Sequence, residues 1–163
     1  MPVTIEELPT DRLDDLEPLW LHLLEHHGQV SPPALRMVSP ADSWPRRRRL
    51  YQAWLEAPGA FALVARLDGQ LVAYALVSMH GSDALDDTWE SGDRVAELQT
   101  LVVTPRAAGA AWARSCWTRS RSGCARAGTR DLLIGVVADN AGALRFYERR
   151  GATPFYTQMY QRL

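Results

Sequence analysis

The dipeptide Asp68-Gly69 stands between two apolar runs, Phe61 to Leu67 and Leu71 to Met79. Asp-Gly is one of the few pairs that accept positive φ at both central positions of a two-residue turn, so this stretch predicts an antiparallel hairpin near the middle of the chain. Upstream, Leu13, Leu16, Leu19, Trp20, Leu23 and Leu24 recur at helical spacing behind Thr10 or Asp11 as a cap, with Pro18 placed to kink or restart the helix. A Pro-rich connection from Ser31 to Pro40 leads to a second helix that opens around Asp42, Ser43, Trp44 and Pro45 and closes before Pro58-Gly59. Downstream, Gly81 to Asp93 reads as an acidic loop, Val95 to Val103 as a strand, and the stretch continuing through Arg114 to Ser122 as a helix. Leu132 to Val137 reads as a buried strand, Ala141 to Arg150 as a short helix ended by Gly151, and Phe155 to Tyr160 as a last strand. This order predicts an α/β (α+β) fold with a mixed sheet.

A chain of 163 residues suits a single domain spanning residues 1–163. An apolar fraction of 47% and a charged fraction of 23% are those of a soluble globular protein. A net charge of -1 argues against wholesale nucleic-acid binding. Cys116 and Cys124 form no disulfide framework, and the N-terminus lacks the basic-then-apolar layout of a secretory signal, so a cytoplasmic location without a membrane partner is expected. Arg46 to Arg49 wraps around a helix, which turns most of that run to water. His22 and His26 stand at i and i+4 but no further ligands accompany them, so no metal is expected. The G-x-S-x-G element of serine hydrolases and the P-loop and Rossmann fingerprints are absent.

Two segments carry a family resemblance. Glu97-Leu98-Gln99-Thr100-Leu101-Val102-Val103-Thr104-Pro105 is a strand closing on proline, and Asn140-Ala141-Gly142-Ala143-Leu144-Arg145-Phe146-Tyr147-Glu148-Arg149-Arg150-Gly151 follows the pattern N-x-x-A-x-x-F-Y-E-x-x-G. Together with the upstream hairpin they resemble the acyl-CoA-dependent N-acyltransferases of the GNAT superfamily. The resemblance implies a central mixed, mostly antiparallel sheet flanked by helices. It also implies transfer of an acetyl group from acetyl-CoA to a primary amine by direct attack in a ternary complex. Glu97 would act as general base and Tyr147 would protonate the leaving thiolate. The backbone of Leu101, Val102 and Val103 would pair with the pantetheine and supply donors to the carbonyl oxygen. Asn140, Ala143 and Phe146 join the cofactor side. Read without the family, Glu97 is a solvated strand carboxylate, and the Asn140 segment is a capped helix packing Ala143, Leu144, Phe146 and Tyr147 into a core.

The family's pyrophosphate loop, R/Q-x-x-G-x-G/A, uses glycines and the N–H groups of a helix N-terminus to hold phosphate. In this chain the cofactor-binding stretch is Ala108, Gly109, Ala110, Ala111, Trp112 and Ala113, which departs from that pattern: Ala108 replaces Arg or Gln, Ala111 replaces a glycine, and only Ala113 fits. Two readings follow. As it stands, the helix carries Ala113, Cys116, Trp117, Ser120 and Cys124 on one face. Read one base earlier with GC-rich codons, residues 111–119 become Gly-Val-Gly-Ala-Leu-Leu-Leu-Asp-Ala, an ordinary opening for the family's helix, as though the gene were out of frame from about Ala108 to Ser122 and back in frame before Ala127. The loop also motivates a rival function, a GNAT-like domain with impaired CoA binding that serves as a binding or interaction module.

The acceptor is an unknown small molecule or peptide. Asp83, Asp86, Asp87, Glu90 and Asp93, with Trp89 among them, would suit a cationic amine, although a solvated surface loop needs no such purpose. Trp44, Tyr51 and Trp54 border the acceptor region in the family and read more simply as core. The expected assembly is a monomer or a homodimer joined through an exposed last strand.

Overall fold

The computed structural model describes residues 3–85, 88–107 and 110–163. Five strands form one sheet in the order β1-β2-β3-β4-β5, with β1 Val3–Glu7, β2 Phe61–Leu67, β3 Gln70–Gly81, β4 Arg94–Val103 and β5 Asp131–Ile134. The first four are mutually antiparallel, and β5 runs parallel to β4. Helices α1 (Glu17–Val30) and α2 (Pro40–Leu55) cover one face; α3 (Ala110–Arg126) and α4 (Ala141–Glu148) cover the other.

The central hairpin forms as its turn residues dictate. Asp68 and Gly69 take φ of 51° and 77°, the two left-handed positions of a two-residue turn, and Leu67 pairs with Gln70. Along β2, Phe61, Leu63 and Ala65 face α3 while Ala62 and Val64 face α1 and α2, so period-two alternation sends every buried residue into one of two cores.

Pro18 restarts the first helix: a 3₁₀ segment over Thr10–Leu16 gives way to α1, with Pro18 in its first turn, and Pro9 rather than Thr10 or Asp11 occupies the preceding cap position. The second helix begins five residues before Pro45. Ser39 accepts a hydrogen bond from the Asp42 N–H at 3.2 Å and Pro40 fills the first position, a better start than the Asp42–Pro45 one. Pro45 therefore lies inside α2, on its exposed side, where water can reach the carbonyl it leaves unpaired.

Two expectations are corrected at the termini. Val3–Glu7, which carried no strand expectation, pairs with β2 over its whole length. Residues 152–163, including Phe155 to Tyr160, form no strand and lie largely exposed, so a dimer joined through a last strand has no basis in this structure. Local alternation at 155–160 supplies side chains of the right kind, but a strand requires a partner, and Pro154 removes a donor beside it.

The arginine run divides by helix rotation. Arg47 lies over the Trp20 ring at 4.0 Å, Arg48 pairs with Asp14 at 2.7 Å, and Arg46 and Arg49 face water. Trp44 and Tyr51 are buried and Trp54 packs beside them, so they are core. No helix among the described residues is long and apolar enough to cross a membrane.

Candidate active site

The site is organised by one extra residue in β4. Leu76 of β3 faces Thr100 while the next residue, Val77, faces Leu98, so Gln99 is a bulge with no partner of its own. The bulge reverses the strand's alternation. Ala96 and Leu98 face α3, as do Leu101 and Val103 beyond it, while Thr100 and Val102 turn to the α2 side. Thr100 Oγ1 lies 2.6 Å from the Tyr51 hydroxyl, which in turn lies 3.0 Å from that of Tyr74, so α2 grips β4 immediately after the bulge.

The parallel partner ends at the same point. β5 pairs with β4 from Val95↔Asp131 to Leu98↔Ile134 and no further. Beyond it, the stretch from Gln99 to Val103 is paired only with β3 among the described residues. Its other edge presents backbone N–H and C=O groups as an unused strand would. At the end of that stretch, Thr104 Oγ1 is buried without a hydrogen-bond partner among the described residues.

On the α1–α2 face, Glu97 and its cross-strand partner Ser78 form a polar group with His80 and Gln99. His80 Nε2 lies 3.2 Å from Glu97 Oε2 and 2.7 Å from Ser78 Oγ, and Gln99 Nε2 donates to the same Ser78 oxygen at 3.0 Å. Glu97 is therefore not a lone solvated carboxylate.

Tyr147 lies on the opposite face. Asn140 caps α4 by accepting from the Ala143 N–H at 3.1 Å, and its amide lies 3.3 Å from His26 Nε2 of α1, linking the two helical layers. The cap sets the helix phase that turns Phe146 and Tyr147 toward the sheet. The Tyr147 ring packs against Trp117 at 5.4 Å and Phe146 at 5.1 Å, while Arg150 covers Phe146 at 3.6 Å. Burial pushes the Tyr147 phenol up to about 12, with Arg150 opposing weakly, so it holds its proton at neutral pH. A phenol in that state can donate to a leaving thiolate.

The loop residues Ala108 and Gly109 lie outside the described residues, as do Asp86 and Asp87 of the acidic loop. Ala110 begins α3, Ala111 is exposed, and Trp112 turns toward the sheet core with Ala113 half-buried behind it. The α3 face read from the sequence as it stands is the one that packs: Cys116, Trp117, Ser120 and Cys124 are buried. The first turn of α3 carries no acidic residue to oppose a phosphate. The open edge of β4 suits an extended, amide-bearing cofactor such as CoA, and the α3 N-terminus, with no acidic residue in its first turn, adds backbone N–H groups.

The structure thus joins Leu101, Val102 and Val103 with the bulge, and sets Tyr147 and Glu97 on opposite faces of the sheet. Sequence reading missed His80, Ser78 and Gln99. Their signal was present in the alternation Tyr74, Leu76, Ser78, His80, which carries the β3 pattern past Met79, where the apolar run stopped. Of the acidic loop, Asp83, Glu90 and Asp93 are described, and Trp89 stacks edge-on with Phe155 at 5.1 Å. Among the described residues, no group of three His, Cys, Asp or Glu side chains could hold a metal ion.

This fold is shared by proteins of known structure at low sequence identity. The BH1408 protein of Bacillus halodurans, solved as a tetramutant, superposes with a TM-score of 0.77 at 17% identity, over 98% of this chain and 99% of that one. The ribosomal-protein-alanine N-acetyltransferase of Brucella melitensis biovar Abortus 2308 gives 0.66 at 16% identity, over 99% of each chain. The aminoglycoside N-acetyltransferase AAC(6')-Iy, solved in complex with CoA, gives 0.69 at 14% identity, over 98% of each. No curated protein sequence matches the chain. The model of the Acetyltransferase (GNAT) family matches residues 21–152, a span that holds both helical layers, the bulged strand and the Asn140-to-Gly151 segment, and the chain belongs to that family.

Proposed function

We propose that this protein transfers an acetyl group from acetyl-CoA to a primary amine by direct attack within a ternary complex. The observation that carries the reading is the open edge of β4 from Gln99 to Val103, vacated where β5 stops pairing. Pantetheine is an extended chain with two amides, and an unused strand edge offers it strand-like pairing through Leu101, Val102 and Val103. N–H groups of the same edge would receive the thioester oxygen as it gains charge. Acetyl-CoA supplies the activated acyl group, and the chain supplies position and protons. The Ala108–Ala113 stretch would receive the pyrophosphate at the α3 N-terminus, with Asn140, Ala143 and Phe146 flanking the cofactor. Tyr147, on the α3 side, would give its proton to the departing thiolate; the polar group around Glu97, on the other face, would draw the proton from the incoming amine. The gap between β4 and β5 lets the two sides meet. The acidic groups Asp83, Glu90 and Asp93 suit a cationic acceptor, and an aminoglycoside, for which one named relative is called an N-acetyltransferase, is an amine of that kind.

The deciding experiment is calorimetric titration of the full chain with acetyl-CoA, with intact mass measured on the same sample. Saturable one-to-one binding at the mass of these 163 residues supports the proposal; a folded chain of that mass that does not bind refutes it and leaves the binding-module reading. A mass that matches the shifted reading of about residues 108–122 instead replaces the loop under test. Replacing Tyr147 by Phe should lower turnover by about 100-fold, in the range of general acid catalysis, with melting temperature little changed. Unchanged turnover would remove Tyr147 from the mechanism.

A further inference from the structure

We infer that His80 Nδ1 is the atom that takes the amine's proton, and that Glu97 acts through His80 as a positioning residue. This rests on the acetyl-transfer reading and specifies its acceptor side. His80 Nε2 is the shared atom of the polar group, 3.2 Å from Glu97 Oε2 and 2.7 Å from Ser78 Oγ. A carboxylate only accepts hydrogen bonds, so the hydrogen lies on Nε2. Ser78 accommodates this: a hydroxyl oxygen has two lone pairs, one taken by Gln99 Nε2 at 3.0 Å and the other open to Nε2–H. The bulge is what brings the Gln99 amide to that oxygen.

With its hydrogen fixed on Nε2, the neutral ring carries its lone pair on Nδ1, which has no hydrogen-bond partner among the described residues. The His80 and Glu97 side chains are 30% and 31% exposed, so the pair is reachable from solvent while Ser78 beneath it is fully buried. Imidazole is a better-matched base than a carboxylate near neutral pH, and a carboxylate on its far nitrogen orients it and stabilises the imidazolium that forms. In the step, an N–H bond of the ammonium group breaks and its proton goes to Nδ1. The freed nitrogen lone pair forms the C–N bond, the C–S bond breaks, and the thiolate takes the Tyr147 proton. Tyr147 is reprotonated by the second proton leaving the nitrogen, and His80 later releases its own to water. The products are an amide, CoA thiol and one proton.

The test uses the full chain. Long-range ¹H–¹⁵N NMR, with the His80 ring identified by its loss in H80Q, should show the Nε2–H tautomer, and E97Q should relax that preference. With an amine that the unsubstituted chain acetylates, H80A should lower kcat by about 100-fold, within the range of general base catalysis, with acetyl-CoA affinity unchanged. Imidazole added to the buffer should restore part of that loss. E97Q should lower kcat less, with no rescue by imidazole. An Nδ1–H tautomer in the unsubstituted chain, full activity in H80A, or a larger loss in E97Q than in H80A would each overturn the inference while leaving acetyl transfer standing. Failure of the unsubstituted chain to bind acetyl-CoA would overturn both.

Discussion

The two faces of the sheet are held by different chemistry. Beneath α1 and α2 the centre is aromatic and fully satisfied: Tyr51 is edged by Trp20, Trp44 and Tyr74, and its hydroxyl meets those of Tyr74 and Thr100. Burial raises both phenols above their ordinary range, which keeps them neutral partners for one another. Beneath α3 the sheet offers small side chains, Ala65, Ala73, Ala75 and Ala96, and the helix approaches closely at Gly123. There Ser120 Oγ is buried with no hydrogen-bond partner among the described residues. The first face is specified by directional contacts and the second by smallness, so the two should respond to substitution in different ways.

The largest effect should come from breaking the first face. Tyr51→Ala removes a fully buried ring and strands two hydroxyls, and should destabilise the chain by about 3–5 kcal/mol, read as a lowered urea midpoint. A loss below about 1 kcal/mol would show that the aromatic cluster is loosely packed. On the second face the corresponding injury is addition. A Cβ at Gly123 would sit 2.4 Å from Phe61 Cζ and 2.7 Å from Cε1, so Gly123→Ala should cost about 1–3 kcal/mol as the Phe61 ring is displaced. The smallest change, and the one of opposite sign, is Ser120→Ala. Removing an unpartnered buried hydroxyl should stabilise by roughly 1 kcal/mol, seen as a raised melting temperature. If Ser120→Ala were destabilising, the contrast between the faces would fail at that point.

Legibility in the sequence followed how local the determinant was. The hairpin could be read from Asp68-Gly69 because two residues fix the turn. The Asn140 cap and the helix behind it were equally local, as was the face of α3. The start of α2 was misread because two prolines competed and the Ser39 hydroxyl, outside the apolar pattern, decided between them. β1 went unseen because an edge strand of five residues ending in Glu6 and Glu7 shows little apolar alternation and takes its stability from β2. Tyr147 and Glu97 were legible as residues through the family pattern, but their placement on opposite faces was not. That depends on Gln99, and a bulge is a property of two strands in register. The His80 network was hidden for the same reason: Ser78 and Glu97 are neighbours only across the ladder.

The bulge also makes β4 a matter of parity. Up to Leu98 the even-numbered residues belong to the α3 layer, and from Leu101 the odd-numbered ones do. Drawing Gln99 into the ladder as an ordinary paired residue would hand Thr100 and Val102 to the α3 side and Leu101 and Val103 to the α2 side, exchanging the contents of two cores at once, whereas losing its codon would close the ladder with every facing kept. A lineage carrying this strand can shed that one residue without re-sorting either core, but it cannot keep the residue and pair it.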